Sequence, residues 1–365
     1  MRKPASFFIV GLLLCIFIAT VPASAHKTDN LNAESTVRSL TNSVASGEQP
    51  LEKINLVWQH DNLPSVDLST LPKVPGVNVV SPCWYVIGNE FGNLNVKAVE
   101  GYVARAHAKG YQVWPLITNG FDPDRTKKLL QDDNAKHHVI QQLLTEAETH
   151  GFDGINLDFE NIYQEDKDEL TKFVKQIRKA TKKRKLTLSI DVTMPEGSPN
   201  WSLCFDRKKL ADQVDYVILM AYDQYSGGSP MAGPTASYNW DKTGLQATLL
   251  EVPANKLIMG IPLYMRLWHF DAKEKRFRAK TLSMPQAAKI HEEKSTDETY
   301  RCLWLEKEKM LYVSYMEKDV PYCFWQENEQ SLRYKAELVN TFRSSGLCWK
   351  KHHNKKKHKY HKPNS

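Results

Sequence analysis

Polar side chains stand at alternate positions in the segment Asp153–Glu160, near the middle of the chain. Asn156, Asp158 and Glu160 are each two residues apart, and alternate side chains of a β-strand point to the same face. Two neighbouring carboxylates repel each other, which raises the pKa of at least one and keeps it protonated as a general acid. The spacing predicts an acid–base site ending at Glu160. The alternative is that these acids only end a strand in solvent.

The residues between the polar positions are apolar. Ile155, Leu157 and Phe159 share the opposite face of the same strand. We expect them to pack against helices, which leaves the polar row in the interior of a barrel. Because a row of polar side chains is costly to bury without partners, its presence favours function over packing.

The elements that must position this row alternate between short β-type runs and helical stretches from residue 53 onward. Such alternation is typical of a parallel sheet made of βα units, and catalytic residues of barrels of this kind lie at the C-terminal strand ends. Eight strands predict an α/β fold, the (β/α)8 TIM barrel: Ile54–Trp58, Val77–Val80, Gln112–Ile117, Gly154–Phe159, Leu186–Val192, Tyr216–Ala221, Leu257–Pro262 and Gly346–Trp349. The predicted helices include Val96–Lys109, Lys136–His150, Lys167–Thr181 and Gln330–Ser344.

The alternation breaks once, between the seventh and eighth predicted strands. Residues 268–329 contain further β-type runs, Leu303–Leu305 and Leu311–Tyr315, around a short helical stretch. We expect a small α+β insertion that forms one wall of a cleft.

The two ends of the chain differ in composition from residues 51–349, which we expect to form one domain. Residues 1–25 combine two basic residues, an apolar run and the small-residue sequence Pro22–Ala25, which is typical of a secretory signal peptide cleaved near Ala25. An uncleaved membrane anchor is the alternative. Residues 26–50 are polar and predict a linker. The protein is therefore expected to be secreted or associated with the cell envelope.

The net charge of +7 is concentrated at the C-terminus. Residues 350–365 hold seven lysines, four histidines and no acid, which leaves a charge of about −2 on residues 26–349. Nucleic-acid binding is therefore not expected. A tail of this composition is typically disordered and attracts polyanions such as an anionic wall polymer. A solubility tail and adventitious metal binding by its histidines are the alternatives.

Five cysteines follow the predicted signal peptide, and their odd number and spacing show no metal-site pattern. A bridge between Cys302 and Cys323 is one alternative in an oxidising compartment. Cys83 and Cys348 lie in or beside apolar strands, where we expect small buried apolar side chains.

The segment Asp153–Glu160 resembles the D-x-x-D-x-D-x-E signature of glycoside hydrolase family 18, the chitinases and their relatives. The resemblance covers almost all of residues 51–349. It is greatest for the branch of spore-cortex and cell-wall N-acetylglucosaminidases, whose members also read Asn-x-Asp-Phe-Glu-Asn. Further segments fall where the family expects them: Ser81–Tyr85, Asn119–Phe121, Met220–Asp223, Gly260–Tyr264 and Trp325–Asn328.

The resemblance implies a retaining mechanism in which the substrate's own acetamido group attacks the anomeric carbon. Glu160 would protonate the glycosidic oxygen, Asp158 would orient the acetamido group, and Tyr222 would hydrogen-bond its carbonyl. No metal or organic cofactor is implied. The expected substrate-binding residues are Asp153, Asn156, Asp223, Trp349, Tyr264 and Trp84, with Trp349 as the ring on which the reacting sugar stacks.

Two features depart from the family pattern. Asn156 stands where chitinases usually carry the middle Asp of the signature, which weakens a chitinase assignment. Asp191, in the fifth predicted strand, is a candidate for a replacement interior carboxylate. After Trp349 the chain continues directly into the basic tail, so we expect the eighth barrel helix to be displaced or absent.

These features predict a secreted, monomeric hydrolase that cleaves β-linked N-acetylglucosamine in bacterial peptidoglycan. The alternatives are a chitinase, an endoglycosidase acting on N-glycans, and a glycan-binding lectin with weak or no catalysis. Lectins of this family typically replace the residue at the position of Glu160, which this chain retains together with Asp158 and Tyr222.

Overall fold

The computed structural model describes residues 53–59 and 72–350. The predicted signal peptide, the polar linker and the basic tail beyond Lys350 lie outside these residues, as does the position of an eighth barrel helix. Within the described part of the chain, no helix is both long and apolar enough to cross a membrane.

Eight parallel strand positions close into a barrel, as the sequence predicts. The barrel strands are β1 (Ile54–Gln59), β2 (Val79–Ile87), β4 (Gln112–Val113), β5 (Leu116–Thr118), β6 (Gly154–Asp158), β7 (Thr187–Thr193), β8 (Tyr216–Met220), β9 (Leu257–Pro262) and β15 (Gly346–Lys350). The third position is divided into two short strands, β4 and β5. The pairing order is β1-β15-β9-β8-β7-β6-β5-β2, and β1 also pairs with β2 to close the ring.

The helices of the described residues are α1 (Tyr102–Ala108), α2 (Pro123–Gln131), α3 (Asp133–His150), α4 (Lys167–Lys183), α5 (Arg207–Gln213), α6 (Tyr238–Thr248), α7 (Met284–Lys294) and α8 (Glu329–Thr341). They lie on the outside of the barrel, except α7, which belongs to the insertion between the seventh and eighth barrel positions. All four predicted helices are present, but the first begins later than predicted. Val96 instead belongs to a short strand, β3 (Leu94–Val96), which pairs antiparallel with β2, and Gly101 precedes the helix with φ of 69°.

Helix α3 delivers the chain into the strand that carries the predicted acids. The Asp132 carboxylate accepts hydrogen bonds from the backbone N–H groups of Asn134 and Ala135 and so caps the first turn. Gly151 ends the helix with φ of 70°, a conformation that glycine adopts without the strain a side chain would add. β6 starts three residues later.

The two faces of β6 separate as the sequence predicts. Ile155, Leu157 and Phe159 are buried in the outer layer of the core, between the strands and the helices. Asn156 is fully buried on the opposite face, inside the barrel. The interior below it is closed by a second apolar cluster that includes Trp58 and Trp114.

The predicted insertion between the seventh and eighth barrel positions is a five-stranded antiparallel sheet with helix α7. The sheet has the order β11-β10-β14-β13-β12 and its own apolar core, which includes Met265, Val313 and Phe324. It begins at Tyr264, four residues before the predicted boundary, because the chain enters β10 almost directly from β9. Its strands are β10 (Tyr264–Asp271), β11 (Arg276–Ser283), β12 (Arg301–Leu305), β13 (Met310–Glu317) and β14 (Val320–Gln326).

A buried cluster of charges joins α8 to α6. Lys335 and Asp241 are fully buried, as is Glu327. The Lys335 ammonium contacts the Glu327 carboxylate, lies 3.7 Å from Asp241 Oδ2, and donates a 2.6 Å hydrogen bond to the Ala236 carbonyl. Two carboxyls share one cation, so burial and the Glu327 charge raise the pKa of Asp241 to about 8.

The bridge between Cys302 and Cys323 that the sequence left open is not formed. Cys302 lies on β12 and Cys323 on β14, with β13 between them. Strands two positions apart are separated by roughly 9–10 Å, whereas a disulfide needs Cα atoms within about 7 Å.

Candidate active site

Glu160 lies where the C-terminal end of β6 opens into a cleft of about 640 Å³. The cleft is also lined by Tyr222 and Asp223 after β8, by Thr193 at the end of β7 and Trp201 after it, and by Trp240 on α6. The carboxyl ends of parallel strands meet at this face, as expected of a barrel enzyme. The predicted catalytic residues are therefore brought together at one end of the barrel.

Asp158 and Glu160 form an interacting pair of carboxyl groups. Burial, followed by the charge of Asp158, raises the pKa of Glu160 to about 8. Burial also raises the pKa of Asp158, while the Lys350 charge and then the hydrogen bond with Glu160 act in the opposite direction. A hydrogen bond between two carboxyls needs one proton, and this hydrogen bond raises the pKa of Glu160 while it lowers that of Asp158, which favours the proton on Glu160. The pair therefore consists of an acid beside a carboxylate.

Two buried polar atoms at this site have no hydrogen-bond partner among the described residues. They are Oδ1 of Asp158 and the hydroxyl of Tyr222. Leaving such atoms unpaired costs about 1–3 kcal/mol each. The Asp158 oxygen is an acceptor, which matches the N–H of an amide, and the Tyr222 hydroxyl is a donor, which matches the C=O. The site is thus prepared for a ligand with an amide group.

A hydrogen-bond network beneath the pair fixes Asn156. Its amide nitrogen donates to Asp191 Oδ1 at 2.7 Å and to Ser189 Oγ at 3.1 Å, and its oxygen accepts from Trp58 Nε1 at 2.8 Å. Asp191 is fully buried, and burial, followed by the charge of Asp158, raises its pKa. The interior carboxylate expected from the sequence at Asp191 therefore lies against Asn156.

Asn119, which follows β5, holds the backbone of Glu160. Its side-chain oxygen accepts from the Glu160 N–H at 3.1 Å, and its amide nitrogen donates to the Glu160 carbonyl at 2.8 Å. The same nitrogen donates to Thr126 Oγ1 at 2.9 Å. Glu160 lies beyond the last paired residue of β6, so this contact replaces a strand neighbour. Sequence reasoning placed Asn119 in a family segment without giving it this role.

Asp223 and Tyr264, both predicted to bind substrate, contact each other. The Tyr264 hydroxyl donates to Asp223 Oδ1 at 2.9 Å, and Arg266 Nη2 donates to the same oxygen at 2.8 Å. Asp223 has φ of 59°, a conformation that these contacts help to hold. Arg266 was not predicted, although it stands two residues after Tyr264 on the same face of β10.

Three predicted substrate-binding residues lie away from the cleft. Asp153 precedes β6 at the opposite end of the barrel, where it accepts from the Val113 N–H at 2.7 Å. Trp84 is buried in the outer core layer and packs edge-on against Tyr102 at 5.1 Å. Trp349 also packs against that outer layer. These placements correct the sequence-based assignments, since strand alternation turns both tryptophans outward.

Other side chains occupy the positions in the cleft that were expected for Trp84 and Trp349. Trp201 and Trp240 line the cleft, and Trp201 is 44% exposed. Lys350 points inward at the end of the last strand, next to Trp349. Lys350 was interpreted from the sequence only as the first residue of the tail. Among the described residues, no group of three or more His, Cys, Asp or Glu side chains is arranged to hold a metal ion.

Comparison with known proteins gives a family match over most of the chain. Residues 89–349 match the sequence profile described as glycosyl hydrolases family 18. Uncharacterized glycosylase YvbX of Bacillus subtilis (strain 168) is 30% identical over 258 residues, which cover 66% of this chain and 71% of that protein. The cortical fragment-lytic enzyme of the same strain is 25% identical over 249 residues, 64% of this chain and 56% of that protein. The chain thus spans little more than half of the second relative.

A solved structure shows the same fold. The chitinase from Chromobacterium violaceum ATCC 12472 superposes with a TM-score of 0.71 at 20% identity, covering 81% of this chain and 93% of that one. At this identity the likeness concerns the fold, and it agrees with the closed barrel described above.

Proposed function

The chain belongs to the glycosyl hydrolases of family 18, and on that premise we propose that it is a secreted N-acetylglucosaminidase acting on bacterial cell-wall peptidoglycan. The observation that carries this proposal is the pair of unpartnered atoms, Asp158 Oδ1 and the Tyr222 hydroxyl, beside a protonated Glu160. This arrangement suits a sugar that carries an N-acetyl group.

The first step of the proposed reaction breaks the glycosidic bond. Glu160 donates its proton to the glycosidic oxygen, and the leaving sugar departs as an alcohol. The acetamido oxygen of the remaining sugar attacks its anomeric carbon from the opposite face and forms an oxazolinium ion. Asp158 accepts the acetamido N–H and offsets the positive charge that develops on the ring. Tyr222 donates to the acetamido oxygen and holds it for attack.

The second step uses the same residues in reverse. Glu160, now ionised, removes a proton from water as that water attacks the anomeric carbon. The oxazolinium ring opens, the acetamido group is restored, and the product keeps the configuration of the substrate. Glu160 thus recovers in the second step the one proton that it gave up in the first.

Two observations support peptidoglycan over chitin as the source of the sugar. Asn156 occupies the position where chitinases usually carry an acid, and it hydrogen-bonds a carboxyl on the next strand, Asp191, instead. The cortical fragment-lytic enzyme, a relative by sequence, is named for lysis of cortical fragments.

Secretion is supported by the composition of residues 1–25, and a mature N-terminus near His26 in the extracellular protein would test it.

The substrate is tested by mass analysis of the ends released from two glycans. Purified peptidoglycan and chitin oligosaccharides are incubated with the protein, with Glu160→Gln as the inactive control and Glu165→Gln as an exposed carboxyl control. The proposal predicts reducing N-acetylglucosamine ends from peptidoglycan, lost in Glu160→Gln and retained in Glu165→Gln. Release from chitin oligosaccharides alone would assign a chitinase, and release from neither would contradict both.

A further inference from the structure

Lys350 directs its side chain into the barrel at the end of β15. Cys348 belongs to the interior cluster, whereas Leu347 and Trp349 pack on the outer layer, so alternation places Lys350 inside. Its ammonium lies 5.0 Å from the centre of the Trp58 ring and 5.8 Å from that of Tyr222. Aromatic faces at these distances attract a cation. Lys350 is partly exposed to solvent, while its ammonium lies next to the Tyr222 ring of the candidate active site.

The groups that face this ammonium come from several barrel elements around it. The carboxyls of Asp158, Glu160 and Asp191 act on its charge, as does the Cys83 thiol. Tyr222 contributes a ring face and an unpartnered hydroxyl. Asp223 is already bound to Arg266, and Tyr264 donates to Asp223. The Lys350 ammonium therefore lies over the Tyr222 ring at the end of the barrel that holds these carboxyls, and it acts on their charges through space.

We propose that Lys350 is a charge-setting residue of the active site, whose ammonium keeps Asp158 ionised while Glu160 holds its proton. With the shared proton on Glu160, the Lys350 ammonium offsets the negative charge of the Asp158 carboxylate inside the barrel. Without the Lys350 ammonium, the Asp158 carboxylate would be a buried negative charge, and none of the side chains named above would neutralise it. Lys350 acts through Asp158 and Glu160 rather than on the sugar.

The proposal rests on the hydrolase activity and makes a directional prediction for it. A neutral side chain at position 350 removes a charge that favours the ionised form of both carboxyls, so both pKa values rise. The acid limb of the rate profile, where Asp158 must lose its proton, moves to higher pH. The alkaline limb, where Glu160 must keep its proton, moves in the same direction. Arginine retains the charge and should leave both limbs near their wild-type positions.

The experiment compares kcat/KM against pH for the wild type, Lys350→Met, Lys350→Arg and Lys175→Met. Lys175 is an exposed residue of α4 and controls for the loss of one positive charge. On the acid limb we expect Lys350→Met to retain about one tenth of wild-type kcat/KM, whereas Lys350→Arg and Lys175→Met stay within about twofold. Equal profiles for Lys350→Met and the wild type would overturn the proposal.

An infrared titration tests the same inference without any substrate. The C=O stretch of protonated Glu160 is assigned by its loss in Glu160→Gln, and its disappearance is followed with rising pH. In Lys350→Met, or in Lys350→Gln if the methionine variant does not fold, the band should persist to higher pH than in the wild type. An unmoved band would contradict the role of Lys350. A wild-type protein inactive on every glycan would instead contradict the proposed function.

Discussion

The side-chain amide of Asn156 donates a 2.7 Å hydrogen bond to the carboxyl of Asp191 on the neighbouring strand β7, inside the barrel. The family signature usually carries an acid at position 156, and here an interior carboxyl stands one strand further along. The amide ties that carboxyl to β6, so Asp191 is held beneath the Asp158–Glu160 pair. The site therefore keeps an interior acid although its signature lacks the middle one.

Replacing Asp191 by Asn should move the pH–rate profile toward lower pH. Asp191 interacts with the charges of Asp158 and Glu160, and coupled carboxyls titrate as a group. Removing one member of that group lowers the apparent pKa values of the others. The measurement is kcat/KM against pH, and its direction is opposite to that expected for Lys350→Met. Because the new amide oxygen can still accept from Asn156, an unchanged profile would show that Asp191 serves only as a hydrogen-bond acceptor.

Replacing Asn119 by Ala should lower turnover without a comparable change in substrate binding. The amide holds both the N–H and the C=O of Glu160, and displacement of a catalytic group by about 1 Å costs roughly 10²-fold in rate. Steady-state kinetics give kcat and KM separately. Thr126→Val, which removes a different contact of the same amide, is the control and should retain most of the activity. A normal kcat in Asn119→Ala would show that β6 alone fixes Glu160.

Replacing Trp201 by Ala should weaken substrate binding. The ring lines the cleft and is 44% exposed, and aromatic contacts of this kind contribute about 0.5–1.5 kcal/mol, a change of roughly 2–13-fold in KM. Leu203→Ala is the matched control, since Leu203 is 40% exposed two residues further on and is not among the cleft-lining residues. Equal KM values for the two variants would remove Trp201 from the binding surface.

Replacing Lys335 by Met should destabilise the protein strongly. The substitution leaves Glu327 and Asp241 buried without their shared cation, and breaking a buried charge pair in this way costs about 3–5 kcal/mol. The free energy of unfolding in urea is the measurement. Lys289→Met removes an exposed i,i+4 pair with Glu293 and should change stability by at most about 1 kcal/mol. Similar losses in the two variants would contradict the cluster's role in joining α8 to α6.

The barrel could be predicted because apolar periodicity and strand count repeat along the chain. The face of each side chain in β6 also followed from alternation. The first helix was predicted too long because pairing of Val96 with Tyr85 of β2 is a contact between segments that no local pattern reveals. The insertion boundary was misplaced for the same reason, as Tyr264 joins a sheet whose other strands come later in the chain.

The positions of the candidate site residues could be predicted where they follow from alternation along one strand. They were predicted less well where they depend on the register between strands. Glu160 and Tyr222 line the cleft and Asp158 is buried beside Glu160, while the catalytic roles of all three remain predictions. Trp349 was assigned to the sugar because it resembles the stacking tryptophan of the family, but the register of β15 turns Lys350 inward in its place. A shift of one residue exchanges the two faces of a strand. Residue type alone does not fix that register.

Activity should fall as the pH rises through about 8. Glu160 has its pKa raised to about 8 by burial and by the Asp158 charge, and the first step needs its proton. The protonated fraction is therefore nearly complete below about pH 7 and is lost above about pH 9. The alkaline limb of kcat against pH measures this value. A limb near the ordinary range of a glutamate, about pH 4.3, would show that Glu160 is ionised and does not act as the acid.

The kcat of Glu160→Gln relative to the wild type, on the glycan that the wild type cleaves, tests the central claim most directly. Glutamine keeps the size of the side chain but has no proton to donate at the required acidity. We predict a loss of about 10²–10⁴-fold, the contribution expected of a general acid, with an unchanged thermal unfolding midpoint. A kcat within a few fold of the wild-type value would contradict the assignment of Glu160 as the catalytic acid.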